Sequence, residues 1–212
     1  MPDFASRFAD GGLTTLVFDY RHLGRSEGEP RQLLDARRQR DDLRRAVEFM
    51  RATSGIDPHC IALRGTSLGG SHVVNIAAED PEIAALVANV PALDVFKGMR
   101  GRSAPVGFHP TRSQVALASV RLVAAAAWDA IRGVVGLSPY YTPVYGPLGR
   151  AVFADPALAP LFDAVEAGAP LWRNRVTPRF LFTAPRCRDG TIARIAAPLM
   201  VTVARDDATQ AS

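Results

Sequence analysis

The stretch CIALRGTSLGG, from Cys60 to Gly70, leaves the backbone few paths. Cys60-Ile61-Ala62-Leu63 is a short apolar run suited to a buried parallel strand, and Ser71 to Ala78 reads as a largely buried helix. The residues between them must reverse the chain within one tight turn. Gly65-Thr66-Ser67-Leu68-Gly69 sets a glycine two residues to either side of a serine. A G-x-S-x-G turn of this kind strains the serine at its apex, and side chains larger than hydrogen at the flanking positions are expected to collide across it. Ser67 is therefore a candidate nucleophile, with Gly65 and Gly69 shaping the turn. The competing reading makes Ser67 a helix cap in a Gly-rich turn.

Strand and helix signals alternate around this turn. Pro2 to Ala9 is a short amphipathic helix that Gly11-Gly12 should end. Leu13 to Phe18 (LTTLVF) is apolar and β-branched and is expected to be a strand, followed by a polar loop from Asp19 to Ser26. Leu33 to Thr53 is the clearest helix, with Ala36, Leu43, Val47 and Met50 on one face. Asp80-Pro81 stops the helix after the serine turn, and Ile83 to Val90 and Leu199 to Ala204 supply further strands. Such alternation predicts an α/β fold with a parallel sheet covered on both faces. Ligands of such sheets bind beyond the carboxyl ends of the strands, where Ser67, Asp94, Asp206 and Asp207 all fall.

Between Asp94 and Ala197 about a hundred residues intervene, where an ordinary parallel crossover needs about a dozen. An inserted helical lid is expected there, with helices at Ser113 to Arg132 and Pro156 to Gly168 and a Tyr- and Pro-rich connection from Pro139 to Pro147. Tyr140, Tyr141, Phe153, Phe162 and Trp172 are read as lid packing, with lining of an acyl or aryl pocket as the alternative.

A chain of 212 residues with 48% hydrophobic content can bury one sizeable core. Its net charge of +4 rests on arginine, with Lys97 the only lysine, and the run Arg37-Arg38-Gln39-Arg40 is offset by Asp41, Asp42 and Glu48 with no aromatic platform. That balance argues against nucleic acid as a partner. Cys60, in the buried strand, and Cys187 form no disulfide framework, which points to a reducing compartment. No signal-peptide pattern opens the chain, and the charge-free run from Gly133 to Gly149 is broken by prolines and glycines, so a soluble cytoplasmic protein without membrane contact is expected. His22, His59, His72 and His109 share no ligand spacing, and neither a metal nor a cofactor is expected.

Three stretches in this order, VFDYRHLGRSEG (Val17 to Gly28), GTSLGG (Gly65 to Gly70) and PLMVTVARDD (Pro198 to Asp207), resemble the α/β-hydrolase superfamily, in particular its esterase-like, dienelactone-hydrolase-like and acyl-peptidase-like members. The likeness covers most of the chain. It implies a partial doubly wound parallel sheet formed by residues 1–93 and 194–212, with a mainly helical lid at 94–193. It also implies a serine hydrolase that cleaves an ester, thioester or amide of a small acyl substrate through an acyl-enzyme at Ser67. Leu68 would supply a backbone N–H to the oxyanion. Asp207, closing Ala204-Arg205-Asp206-Asp207, matches the family's acid, with Asp206 as the alternative and a plain turn or cap role for both as a third reading. His22 stands where the family's D-x-R-G loop has glycine, either as a surface loop residue or as a substituted base.

Two of the family's parts have no counterpart in these residues: the strand with the second oxyanion loop, and a histidine after the acid, since only Ala208 to Ser212 follow Asp207. The chain is accordingly expected to be an incomplete hydrolase. The alternative is an inactive hydrolase-fold protein kept for binding or interaction. The strand Leu13 to Phe18 is expected either to stand a strand's width from the elbow strand or to collapse onto it. In isolation the chain should be poorly soluble or partly unfolded and should show no Ser67-dependent ester turnover unless His22 or His109 serves as base.

Overall fold

The computed structural model describes residues 2–94 and 110–203. Of these, 2–20, 37–94 and 185–203 form one compact unit, and 21–36 with 110–184 form another.

In the first unit α1 spans Pro2–Asp10 and stops where its glycines dictate. The Gly11 N–H returns to the carbonyls of Arg7 and Phe8, and Gly12 takes φ 82, a conformation open to glycine at little cost. Helix α2 (Ala36–Ala52) contains neither glycine nor proline, and its buried positions Ala36, Leu43 and Val47 share a face while arginines and acids fill the rest. Strand β1 (Ala62–Thr66), helix α3 (Leu68–Glu79), strand β2 (Ala85–Asn89) and strand β3 (Leu199–Thr202) complete the unit.

The three strands are parallel in the order β1-β2-β3. Leu63, Leu86 and Leu199 lie in register across them. Leu63 and Leu86 join Leu43 and Val47 of α2 and Val73, Val74, Ile76 and Ala77 of α3 in one core, with Phe18, Tyr20 and Leu199 packed against it. Each large aliphatic side chain so buried contributes about 1.5–3 kcal/mol, so this α2/α3/sheet sandwich holds the unit. Arg51 pairs with Asp80 at 2.8 Å and Arg44 bonds Glu79, which ties α2 to the C-terminal end of α3. The Arg51 hydrogen bond holds the Asp80 carboxyl below its ordinary range.

Two sequence expectations fail in this unit. Leu13 to Phe18 is not a strand: the segment has no ladder partner among the described residues, and Leu13, Leu16 and Val17 are exposed. A β-branched run becomes a strand only where a neighbour accepts its hydrogen bonds, and none is in register here. Cys60 is exposed, not buried in a strand; the ladder begins at Ala62, because Cys60 still belongs to the turn in which its N–H closes on the Asp57 carbonyl.

In the second unit α4 (Arg112–Val134) starts from a capping box, with Thr111 and Gln114 exchanging side-chain to backbone hydrogen bonds. Its fully buried Asp129 accepts from Nε and Nη2 of Arg179 at 2.6 and 2.7 Å and from the Tyr140 N–H at 2.9 Å. A Cβ at Gly133 would overlap the Arg179 guanidinium, so a larger residue there would have to shift that side chain. By length and apolarity α4 could cross a membrane, yet its one carboxylate is committed to this ion pair within the unit. Helix α5 (Ala159–Gly168) carries Phe162, which stacks with Tyr145 and Trp172 and tilts against Phe153. The loop 21–32 also belongs to this unit. Arg31 binds the carbonyls of Gly24, Ser26 and Gly28, and buried Gln32 exchanges hydrogen bonds with the backbone of Arg173 and Arg175.

Candidate active site

Ser67 sits between the last residue of β1 and the first of α3, at φ 52 and ψ −116. A non-glycine residue with positive φ is uncommon, and one held there by its surroundings marks stored strain. Three backbone hydrogen bonds hold it. The Ser67 N–H donates to the Asn89 carbonyl at 2.9 Å, and the Ser67 carbonyl accepts from Ala92 at 2.9 Å and from Ser71, the first turn of α3, at 3.1 Å. The hydroxyl makes no capping bond to the helix, and the residue is exposed. An N-cap serine normally spends its oxygen on the N2 or N3 amide; this one does not.

The turn needs its glycines unequally. A Cβ at Gly65 would overlap the Gly69 carbonyl, so Gly65 can carry no side chain while the turn keeps this path. A Cβ at Gly69 would meet nothing within 4 Å, which corrects the expectation that both flanking positions collide. The crowded partner is Gly70, where a Cβ would lie 3.0 Å from Cα and Cβ of the buried Pro91 and 3.4 Å from the Asn89 carbonyl. The doubled glycine of SLGG was the sequence signal for it. Leu68 is the first residue of α3, so its N–H has no intrahelical acceptor and lies at the positive end of the helix dipole.

Sequence reasoning also missed the residues flanking the elbow on β2 and β3. Asn89 and Thr202 are paired in the ladder, the Thr202 hydroxyl donates to Asn89 Oδ1 at 2.9 Å, and Val90 takes φ 43 while its N–H donates to the Thr202 carbonyl at 2.7 Å. Their signal is non-local, since parallel pairing across an intervening segment of more than a hundred residues leaves no pattern in either strand.

Of the histidines, His72 is in α3, fully buried, with Nε2 3.0 Å from Gln39 Oε1 and its ring edge-on to Tyr20. Burial first, and Arg40 second, lower its pKa to about 4, so it is a neutral packed residue. The Tyr20 hydroxyl is pushed up to about 12 by burial and by Asp42. His59 is exposed in the turn before β1, where its N–H bonds Asp57. His22, in the other unit, is 7% exposed and not on the surface. It takes φ 68, a left-handed conformation that favours glycine, and a Cβ at Gly28 would come within 2.7 Å of its Nδ1. Asp94 lies beyond β2 and bridges to Arg186 through the backbone. Asp206, Asp207 and His109 lie outside the described residues.

Comparison with known proteins agrees with this architecture. Residues 1–208 match the profile of the family described as serine aminopeptidase, S33. The chain is 32% identical over 212 residues to the quorum-quenching protein AidA of Acinetobacter baumannii, covering 99% of this chain and 66% of that protein. It is 36% identical over 94 residues to the thiohydrolase aneE of Aspergillus aculeatus, 44% of this chain and 30% of that one. The crystal structure of the α/β hydrolase GrgF from Penicillium sp. sh18 matches 94% of this chain and 64% of its own at 26% identity and a TM-score of 0.70. The chain thus spans less than two thirds to about a third of the length of these relatives. With this sheet, this elbow and a match over nearly all its residues, the chain belongs to the serine aminopeptidase S33 family of α/β hydrolases.

Proposed function

We propose that this chain carries the nucleophile of an acyl-transferring serine hydrolase, with Ser67 as the attacking residue. The observation that supports this reading is a strained, exposed serine at a helix N-terminus whose hydroxyl is not used as a cap. In the proposed reaction Ser67 Oγ attacks the carbonyl carbon of an ester, thioester or amide while a base takes its proton. The tetrahedral oxyanion accepts from the Leu68 N–H, the leaving group departs with a proton, and water then releases the acid from the acyl-enzyme. Asp207 is the proposed acid that orients the base, with Asp206 as alternative. The names of relatives, a quorum-quenching protein, thiohydrolases and an acyltransferase, favour a small acyl substrate. No metal or cofactor is needed for such a step. The helical unit is proposed to serve as a lid and the protein to act in the cytoplasm.

A second reading, a hydrolase fold kept for binding, is favoured by one observation. His72 and His59, the described histidines of the elbow's own unit, are occupied away from Ser67: one is buried on Gln39, the other sits in the turn before β1. A fluorophosphonate probe separates the two. A single covalent adduct on Ser67, read by intact mass and absent from Ser67→Ala, is the outcome expected of a nucleophile. No probe-dependent mass shift in wild type beyond that of Ser67→Ala would leave the binding reading.

A further inference from the structure

We propose that Asn89 and Thr202 are positioning residues that hold Ser67 in its strained conformation from the neighbouring strands; the functional half of this proposal rests on Ser67 being the nucleophile. The segment Asn89 to Ala92 grips both backbone groups of Ser67. The Asn89 carbonyl accepts its N–H and the Ala92 N–H donates to its carbonyl, each at 2.9 Å. To make both bonds the chain must fold back between residues 89 and 92, and it does so at Val90, with φ 43. A β-branched residue is a genuine outlier in that region, so the turn persists only where its surroundings over-determine it.

Contacts on both sides of the turn do this. On one side Gly70 admits Pro91 to a separation that a methyl group would close to 3.0 Å. On the other, β3 supplies two bonds from a single residue: the Thr202 carbonyl accepts from Val90 at 2.7 Å, and the Thr202 hydroxyl donates to Asn89 Oδ1 at 2.9 Å. The side chain of Asn89 is thus fixed to β3 while its carbonyl fixes the elbow on β1. Because strain at Ser67 and strain at Val90 are held by one hydrogen-bonded set, loosening the Thr202 end releases the Ser67 end. Neither Asn89 nor Thr202 is a catalytic residue in this scheme; both act through the backbone of Ser67.

Thr202→Val removes the hydroxyl at nearly constant volume, and Thr202→Ser keeps it. Amide exchange of Ser67 and Ala92, followed by NMR on the whole chain, reports the clamp whether or not Ser67 reacts. In Thr202→Val both amides should exchange about fivefold faster, the loss of one ordinary hydrogen bond, while Leu63 within β1 is unchanged and Thr202→Ser exchanges as wild type. Asn89→Ala, which breaks the same bond from its other end, gives the same test if Thr202→Val does not fold. In parallel the maximal rate of fluorophosphonate adduct formation should fall about fivefold in Thr202→Val with the probe's half-saturating concentration unchanged, and recover in Thr202→Ser. Unchanged exchange at Ser67 and Ala92, or Thr202→Ser behaving like Thr202→Val, overturns the clamp even where wild type is labelled. Faster exchange in a protein whose wild type forms no adduct overturns the nucleophile reading, and with it the functional half of the proposal.

Discussion

A methyl group added at Gly65 would overlap the Gly69 carbonyl, whereas one added at Gly69 would meet nothing within 4 Å. In the sequence the two glycines are mirror images about Ser67, because the motif records the path of the backbone and not which atoms end up across from one another. The expected consequence is an asymmetry in substitution. Gly65→Ala can be relieved only by moving backbone, at a cost of about 1–3 kcal/mol in overpacking, and it should also displace Ser67. Gly69→Ala lies in the first turn of α3 with room around it and should be neutral or stabilising by up to about 1 kcal/mol through helix propensity. Urea unfolding of both variants checks this: equal losses would mean that the turn follows another path. His22 shows the same limit of reading residues singly. Its identity says nothing of the φ 68 and the burial that the loop imposes on it.

At the scale of elements, α2, α3 and the three strands were legible because each carries its own periodicity or apolar run with glycine or proline at its ends. The segment Leu13 to Phe18 carries the same signal and is no strand, because a strand is a property of a pair and this run has no ladder partner among the described residues. The elbow was legible as a local motif, while the Asn89–Thr202 brace, made between strands far apart in sequence, was not. His72 shows what the packing of α3 adds. Its pKa of about 4 in the folded chain lies below the unfolded value near 6.5, so between these values the unfolded chain binds a proton that the native one refuses. The stability tied to the neutral ring is therefore complete above pH 6.5 and lost as pH falls towards 4, on the order of 3 kcal/mol in all. His72→Leu leaves Gln39 without its partner and lowers stability at pH 7, but it removes this titration. Urea midpoints at pH 7, 6 and 5 should fall more steeply for wild type than for His72→Leu; parallel lines would mean that the native ring takes up its proton as the unfolded one does.

For the molecule as a whole the open question is what the sheet presents to its surroundings. Parallel sheets are normally covered on both faces and continued at their edges, since their strands are built from apolar runs. Here β2 is the only strand with a neighbour on each side among the described residues. On the β3 edge Met200 and Val201 are 59% and 48% exposed, and successive residues of a strand point to opposite faces, so β3 is incompletely covered on both. Leu13, Leu16 and Val17 add exposed apolar surface in the same unit. An edge of this kind is a template for another strand, and the expected result is concentration-dependent self-association of the 212-residue chain. Val201→Lys places a charge on that edge without touching the core contacts of Leu199 or the hydroxyl of Thr202. In sedimentation velocity at increasing concentration wild type should shift to larger species while Val201→Lys stays unshifted, with the far-UV spectrum of the two alike. Association that is the same in both proteins would place the contact elsewhere, and a wild type that stays monomeric throughout would show that the edge does not recruit a second copy.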